Sequence, residues 1–149
     1  MENGMETAAE RLVLVIDHHP EHVRVIDQAL SESSGQYRLV AIAEVAEALG
    51  FLNRQGTHTD APRPDLILLD LDLPEKNGWE ILAAIKATPQ LRRIPIVVLT
   101  LADNEAGIFD SYAMQGNCYV IKSADLDHLY HLVKRIEDFW LGIVTLPME

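Results

Sequence analysis

Cysteine is almost missing from this chain: among 149 residues there is one, Cys118. That excludes an internal disulfide framework and any paired-cysteine metal or redox motif. Positive charge is sparse too, with 12 Lys and Arg against 23 Asp and Glu and a formal net charge of −11. A nucleic-acid backbone is held mainly by Lys and Arg, so no nucleic-acid partner is expected. Long apolar runs are lacking. The longest, Ile94 to Ala102, is interrupted by Pro95 and Thr100 and falls far short of the ~20 residues of a membrane helix, so no membrane partner is expected either. The N-terminal MENGMETAAER has no basic segment leading into an apolar one. No secretory signal is read there, and a cytoplasmic protein is expected. The remaining composition, 48% hydrophobic and 23% charged, suits one soluble globular domain.

What is present is an alternation of short apolar runs and helical patterns. After a polar lead over residues 1–10, expected to be disordered, Leu12–Ile16 is a continuous apolar run, the mark of a strand buried on both faces. Pro20–Ser31 follows as a helix, with Val23, Ile26, Ala29 and Leu30 at helical spacing and Pro20 suited to its first turn. Tyr37–Ile42 reads as a strand and Glu44–Asn53 as a helix with Val45, Ala48, Leu49 and Leu52 inward. Arg54–Pro64 is a loop broken by Gly56, Pro62 and Pro64. Leu66–Leu69 is a buried strand ending at Asp70, and Glu75–Ala87 a helix with Ile81, Leu82 and Ile85 as its stripe. Ile94–Thr100, Asn104–Met114 and Tyr119–Ile121 read as strand, helix and strand, and a last helix runs from about Asp125 into the Trp140 region. Strict strand–helix alternation predicts an α/β fold: a doubly wound, five-stranded parallel sheet covered on both faces. The domain is expected over residues 11–138, with a tail over 139–149.

Ligands of such sheets bind beyond the carboxyl ends of the strands. The polar residues there are Asp17 and His18 after the first strand, Asp70 and Asp72 at the third, Thr100 at the fourth and Lys122 at the fifth. Singly, each has an ordinary explanation: an aspartate as helix cap or turn former, a threonine as cap, a lysine in solvent. Jointly, a carboxylate, a hydroxyl and an ammonium are expected to converge on one spot.

The run Pro64-Asp-Leu-Ile-Leu-Leu-Asp70-Leu-Asp-Leu-Pro74 with Asn77-Gly78, together with Ile96-Val-Val-Leu-Thr100 and Tyr119-Val-Ile-Lys122, resembles the receiver domains of two-component response regulators. Those domains have a flavodoxin-like (βα)5 fold. The strings APRPDLILLDLDLP, NCYVIKS with Ser123 after the lysine, and FWLGIVTLP are similar to the single-domain regulators that accompany phytochrome-type sensor histidine kinases. The resemblance implies that Asp70 takes a phosphoryl group from a kinase phosphohistidine, with Lys122 giving a point charge and Thr100 a hydroxyl hydrogen bond to the phosphoryl oxygens. It implies Mg²⁺ held by Asp17, Asp70 and the backbone carbonyl of Asp72, and Tyr119 as the aromatic that follows Thr100 inward when the switch turns. It also implies that the chain is not an enzyme, that its partner is a sensor histidine kinase, and that its output is a protein contact.

Two positions depart from that pattern. His18 stands where a second acid, the direct Mg²⁺ ligand, is expected. Mg²⁺ wants oxygen ligands in octahedral geometry, and imidazole suits it badly. Either His18 weakens or replaces Mg²⁺ binding, or Asp72 swings its carboxylate into the gap. Leu101 stands where a small residue is usual; it either narrows access to the site or packs at the entry of the next helix. His18, His19 and His22 suggest a transition-metal site with Asp17 or Asp70, against the plainer expectation of two loop histidines and one exposed helix residue. His128 and His131 are expected on a solvated or interface side, His58 is an uninformative loop residue, and Cys118 an inert packing residue.

Leu126, Leu129, Val133, Ile136, Trp140 and Ile143 form one helical seam, and Leu132, Phe139 and Leu146 widen it. One face suffices to cover the sheet. The surplus, Phe139, Trp140, Ile143 and Leu146, is expected to form the interface of a homodimer, the alternative being a tail folded back on its own domain. Two rival readings stand beside the regulator: a phosphorylation-independent pseudo-receiver scaffold, motivated by His18 and Leu101, and a haloacid-dehalogenase-like phosphotransferase using Asp70 and Asp72 as its DxD pair.

Overall fold

The computed structural model describes residues 11–32, 37–70, 78–100, 118–121 and 125–144. The strands are β1 (Arg11–Ile16), β2 (Tyr37–Ile42), β3 (Leu66–Asp70), β4 (Ile96–Thr100) and β5 (Cys118–Ile121). The helices among the described residues are α1 (Pro20–Ser31), α2 (Val45–Asn53), α3 (Gly78–Ala87) and α4 (Leu126–Val144). The strands pair in parallel in the order β2-β1-β3-β4-β5. The strand order therefore reverses between β1 and β3, and the crevice of such a sheet opens at that point.

The apolar runs explain the layering. Successive side chains of a strand point to opposite faces. Leu12, Leu14 and Ile16 of β1 and Ile67 and Leu69 of β3 pack with Phe51 and Leu52 of α2 and Ile81, Leu82 and Ile85 of α3. Val13 and Val15, Leu66 and Leu68 face the other way, onto Ile26 and Ala29 of α1 and Leu129 and Val133 of α4. The two central strands are buried nearly throughout, whereas β2, at the sheet edge, is half exposed. Asp65 ties the start of β3 to β1: its N–H donates to the Leu12 carbonyl at 2.8 Å and its Oδ2 accepts from Leu12 N–H at 2.8 Å.

Helix α1 begins on Pro20, whose fixed φ and missing N–H suit a first turn. It is tied to α4 by Lys134 Nζ, which donates to the Ala29 carbonyl at 3.1 Å, and by the Tyr130 hydroxyl, which donates to Glu32. That hydroxyl, followed by the Gln28 amide, holds the Glu32 carboxyl below its usual range. Helix α2 stops on Arg54, a left-handed residue (φ 57°), which tolerates that conformation with its Nε donating to the Ala61 carbonyl at 2.9 Å.

The expected elements differ from the observed ones in a few places. Strand β4 starts at Ile96, not Ile94. Ile94 N–H closes a turn onto the Leu91 carbonyl, and Pro95 has no N–H to lend the ladder, although its carbonyl accepts from Ile67. In α2 it is Phe51 that is buried, and Leu49 is only half-buried. A short 3₁₀ turn, Gly56–His58, interrupts the expected loop. There His58 meets the Phe51 ring edge-on at 5.4 Å and lies 3.5 Å from Glu47, so it is no idle loop residue. The expected helix Asn104–Met114 lies outside the described residues. Helix α4 continues without a break through residue 144.

Candidate functional site at the carboxyl ends of β1 and β3

Because β1 lies beside β3, the residues that end them meet. Asp17 follows β1 directly and is buried, its N–H donating to the Ile42 carbonyl of β2 at 3.1 Å. Asp70 is the last residue of β3 and is fully buried, at 0% exposure. A buried carboxylate is costly unless positive charge or hydrogen-bond donors meet it. The histidines that follow Asp17 supply such groups.

His19 is the N-cap residue of α1, with extended backbone. Its N–H donates to Asp17 Oδ1 at 2.8 Å, so Asp17 does form the turn that the plain explanation of such an aspartate called for. The His19 ring then turns back over the same pair: Nδ1 lies 2.9 Å from Asp17 Oδ1 and 3.4 Å from Asp70 Oδ2. His18 Nδ1 lies 3.8 Å from Asp70 Oδ2. The two rings tilt against each other with centroids 4.0 Å apart, and His22 stacks on His19 at 4.4 Å. One donor atom from each of Asp17, His18, His19 and Asp70 lies within 4.8 Å of the others.

His22 corrects an expectation. It is 5% exposed rather than an exposed helix residue, because the first turn of α1 presents it inward beneath His19. His19 was the residue most easily passed over. The signal lay in Asp17-His18-His19-Pro20: a proline in the first helical turn makes the preceding residue the cap, and a cap here sits over the carboxyl edge. His128 and His131 are exposed, as expected, and His131 lies 3.7 Å from Asp127.

The other expected site residues are reached through the backbone alone. Leu99 of β4 is the register partner of Asp70, so Thr100 ends its strand one residue beyond Asp70. Thr100 pairs with Ile121 and Val98 with Tyr119. Phe139, Trp140 and Ile143 belong to α4. Lys122, Asp72, Leu101 and Leu146 lie outside the described residues.

A five-stranded parallel sheet of this order, with paired acids at its switch point, defines a class, and the family comparison agrees. Residues 13–134 match the response regulator receiver domain family, and the chain belongs to it. It is a response regulator of the two-component type, whose members are phosphorylated on an aspartate. The chain is 42% identical over 142 residues to response regulator Rcp1 of Synechocystis sp., covering 95% of this chain and 97% of that one. Among solved structures it matches the phosphorylated cyanobacterial phytochrome response regulator RcpA, with 45% identity and a TM-score of 0.88 over 93% of this chain and 99% of that one. It also matches the Mn²⁺-bound form of Rcp1, with 42% identity and a TM-score of 0.86 over 92% and 99%. These relatives are response regulators, not enzymes.

A divalent cation is implied by the family. The residues fit one in charge, since two buried carboxylates face a common point, but the nitrogen donors beside them are foreign to an all-oxygen Mg²⁺ shell. Among the described residues no helix is long and apolar enough to cross a membrane.

Proposed function

We propose that this chain works as a single-domain, cytoplasmic response regulator that accepts a phosphoryl group on Asp70 from a phytochrome-type sensor histidine kinase and is not itself an enzyme. The observation that carries the reading is the placement of Asp70: a fully buried carboxylate ending β3 at the switch point, with Asp17 and two imidazoles around it. An Asp70 oxygen attacks phosphorus, the P–N bond to the kinase histidine breaks, and the electron pair leaves with the imidazole. Little covalent work is left to the protein beyond alignment and charge neutralisation. Asp17, Asp70 and the Asp72 carbonyl would hold the cation, with His18 as a further candidate ligand, and the cation would neutralise charge on the phosphoryl oxygens. His18, in place of an acid, weakens Mg²⁺ there. Lys122 pairs with one phosphoryl oxygen, Thr100 donates its hydroxyl to another, and Tyr119 follows Thr100 inward.

The output is a protein contact. Residues 139–149, with Phe139, Trp140, Ile143 and Leu146, serve as the dimerisation element of a homodimer, supported by the unbroken course of α4 through residue 144 and by the aromatic surplus at its end. No nucleic acid or membrane is involved.

The test is incubation with acetyl phosphate, with and without Mg²⁺ or Mn²⁺, read by intact mass, with Asp70→Asn as control. A single phosphoryl adduct that is metal-dependent and missing in the variant is the expected result. No adduct with any metal, repeated with a phytochrome-type histidine kinase as donor, would overturn it in favour of a pseudo-receiver scaffold. One contact favours that second reading: His19 Nδ1 already lies between the two carboxylates.

A further inference from the structure

The donor set at the switch point is half nitrogen. His18 Nδ1 and His19 Nδ1 join an oxygen from each of Asp17 and Asp70 within 4.8 Å. An ion with bonds of about 2.1 Å spans donors about 3.4 Å apart in tetrahedral geometry, and about 3.0 Å apart as neighbours or about 4.2 Å across an octahedron. The separations of 2.9, 3.4 and 3.8 Å found here fall in or close to that range before any ligand adjusts.

Charge and access point the same way. The carboxylates are 1% and 0% exposed, so a cation beside them is little screened by solvent. The histidine side chains are 26% and 33% exposed, so an ion can reach them from solvent. His22, buried in the first turn of α1, stacks on His19 and limits the swing of its ring. Groups that orient a ligand in this way strengthen metal binding. Mg²⁺ dehydrates reluctantly and asks for oxygen, whereas a mixed imidazole–carboxylate set suits Zn²⁺, Co²⁺ and their neighbours.

We infer that this site binds a divalent transition ion of the zinc type in preference to Mg²⁺, through the imidazoles of His18 and His19 and the carboxylates of Asp17 and Asp70. The inference shares its site with the phosphoacceptor reading, but its test does not pass through phosphorylation.

The whole chain, stripped of metal, is titrated calorimetrically with Zn²⁺, Co²⁺, Mn²⁺ and Mg²⁺, and the visible absorption of the Co²⁺ form is recorded. One Zn²⁺ per chain is expected to bind about 100-fold more tightly than Mg²⁺, and the Co²⁺ bands should carry the intensity of a low-coordinate site. His18→Ala and His19→Ala are each expected to lose about tenfold or more in Zn²⁺ affinity. His18→Asp should raise Mg²⁺ affinity and narrow the gap. His128→Ala with His131→Ala, on the exposed face of α4, should change nothing.

The wild-type affinity ratio stands even if a variant fails to fold. Mg²⁺ binding as tightly as Zn²⁺ would overturn the inference, as would Zn²⁺ binding that survives in both single variants but vanishes with His128 and His131. So would no binding of any ion, which would leave the His19 ring as a contact between the two carboxylates. An acetyl phosphate adduct on Asp70 in the presence of Mg²⁺, with no Zn²⁺ preference, would sink the metal selectivity and leave the phosphoacceptor reading intact.

Discussion

The lower and upper parts of β1 and β3 are two different environments within the same strands. Along most of their length they are apolar and closed: Leu14, Ile16, Ile67, Leu68 and Leu69 are at most 1% exposed, and helices cover both faces. At the carboxyl end the same burial encloses Asp17 and Asp70. In the lower part every neighbour gains from the exclusion of water. In the upper part exclusion of water sharpens the charges of two acids, and only cations and N–H groups relieve them. The apolar floor supplies the stability on which the site draws, and the comparison can be broken from either side.

The largest effect is expected in the floor. Leu14→Ala leaves a cavity in a fully packed layer and should cost about 2–5 kcal/mol, read by urea denaturation. At the upper end the sign reverses. Asp70→Asn removes a buried charge with almost no change of shape, and is expected to stabilise the metal-free protein by about 1 kcal/mol while abolishing the phosphoryl adduct. A loss of stability in that variant would show that the imidazoles and other donors had more than compensated the charge. In the proposed dimerisation element, Trp140→Ala is expected to halve the mass seen by light scattering and leave the α1–α4 packing in place, to which α4 gives Leu129, Val133 and Ile136 among its described buried residues.

The smallest effect belongs to the sheet edge. Burial, and after it the charge of Glu137, push the Tyr37 hydroxyl up to about 12, against 10.0 for the free side chain. The folded state therefore holds a proton that the unfolded chain releases first. This contribution to stability is intact below about pH 10 and lost as pH rises towards 12. Tyr37→Phe should flatten that alkaline decline, measured as the melting temperature between pH 9 and pH 12.

Much of this was legible without coordinates. Pro20–Ser31 and Tyr37–Ile42 emerge with the expected bounds, because a proline start and a β-branched run bounded by polar residues are local signals. Asp70 announces itself as the polar end of LILLD. The misreadings have a common cause. Leu49 against Phe51, and His22 against solvent, each depend on how far a helix is rotated about its axis when it docks, and a few tens of degrees exchange one residue for its neighbour. The start of β4 depended on whether Pro95 would meet a strand that needed its N–H.

By itself, the sequence determined the alternation of strands and helices, the burial of β1 and β3, and the family, since period-two and period-3.6 patterns and short motifs are written locally. Only the tertiary structure decided that Asp17 and Asp70 share one buried point, because that follows from β1 lying beside β3, a pairing between segments far apart in the chain. It alone decided that His19 comes closer than His18 to the carboxylates. The direction of a side chain at a helix cap is set by the angle at which the helix leaves the sheet, and no run of neighbouring residues encodes that angle.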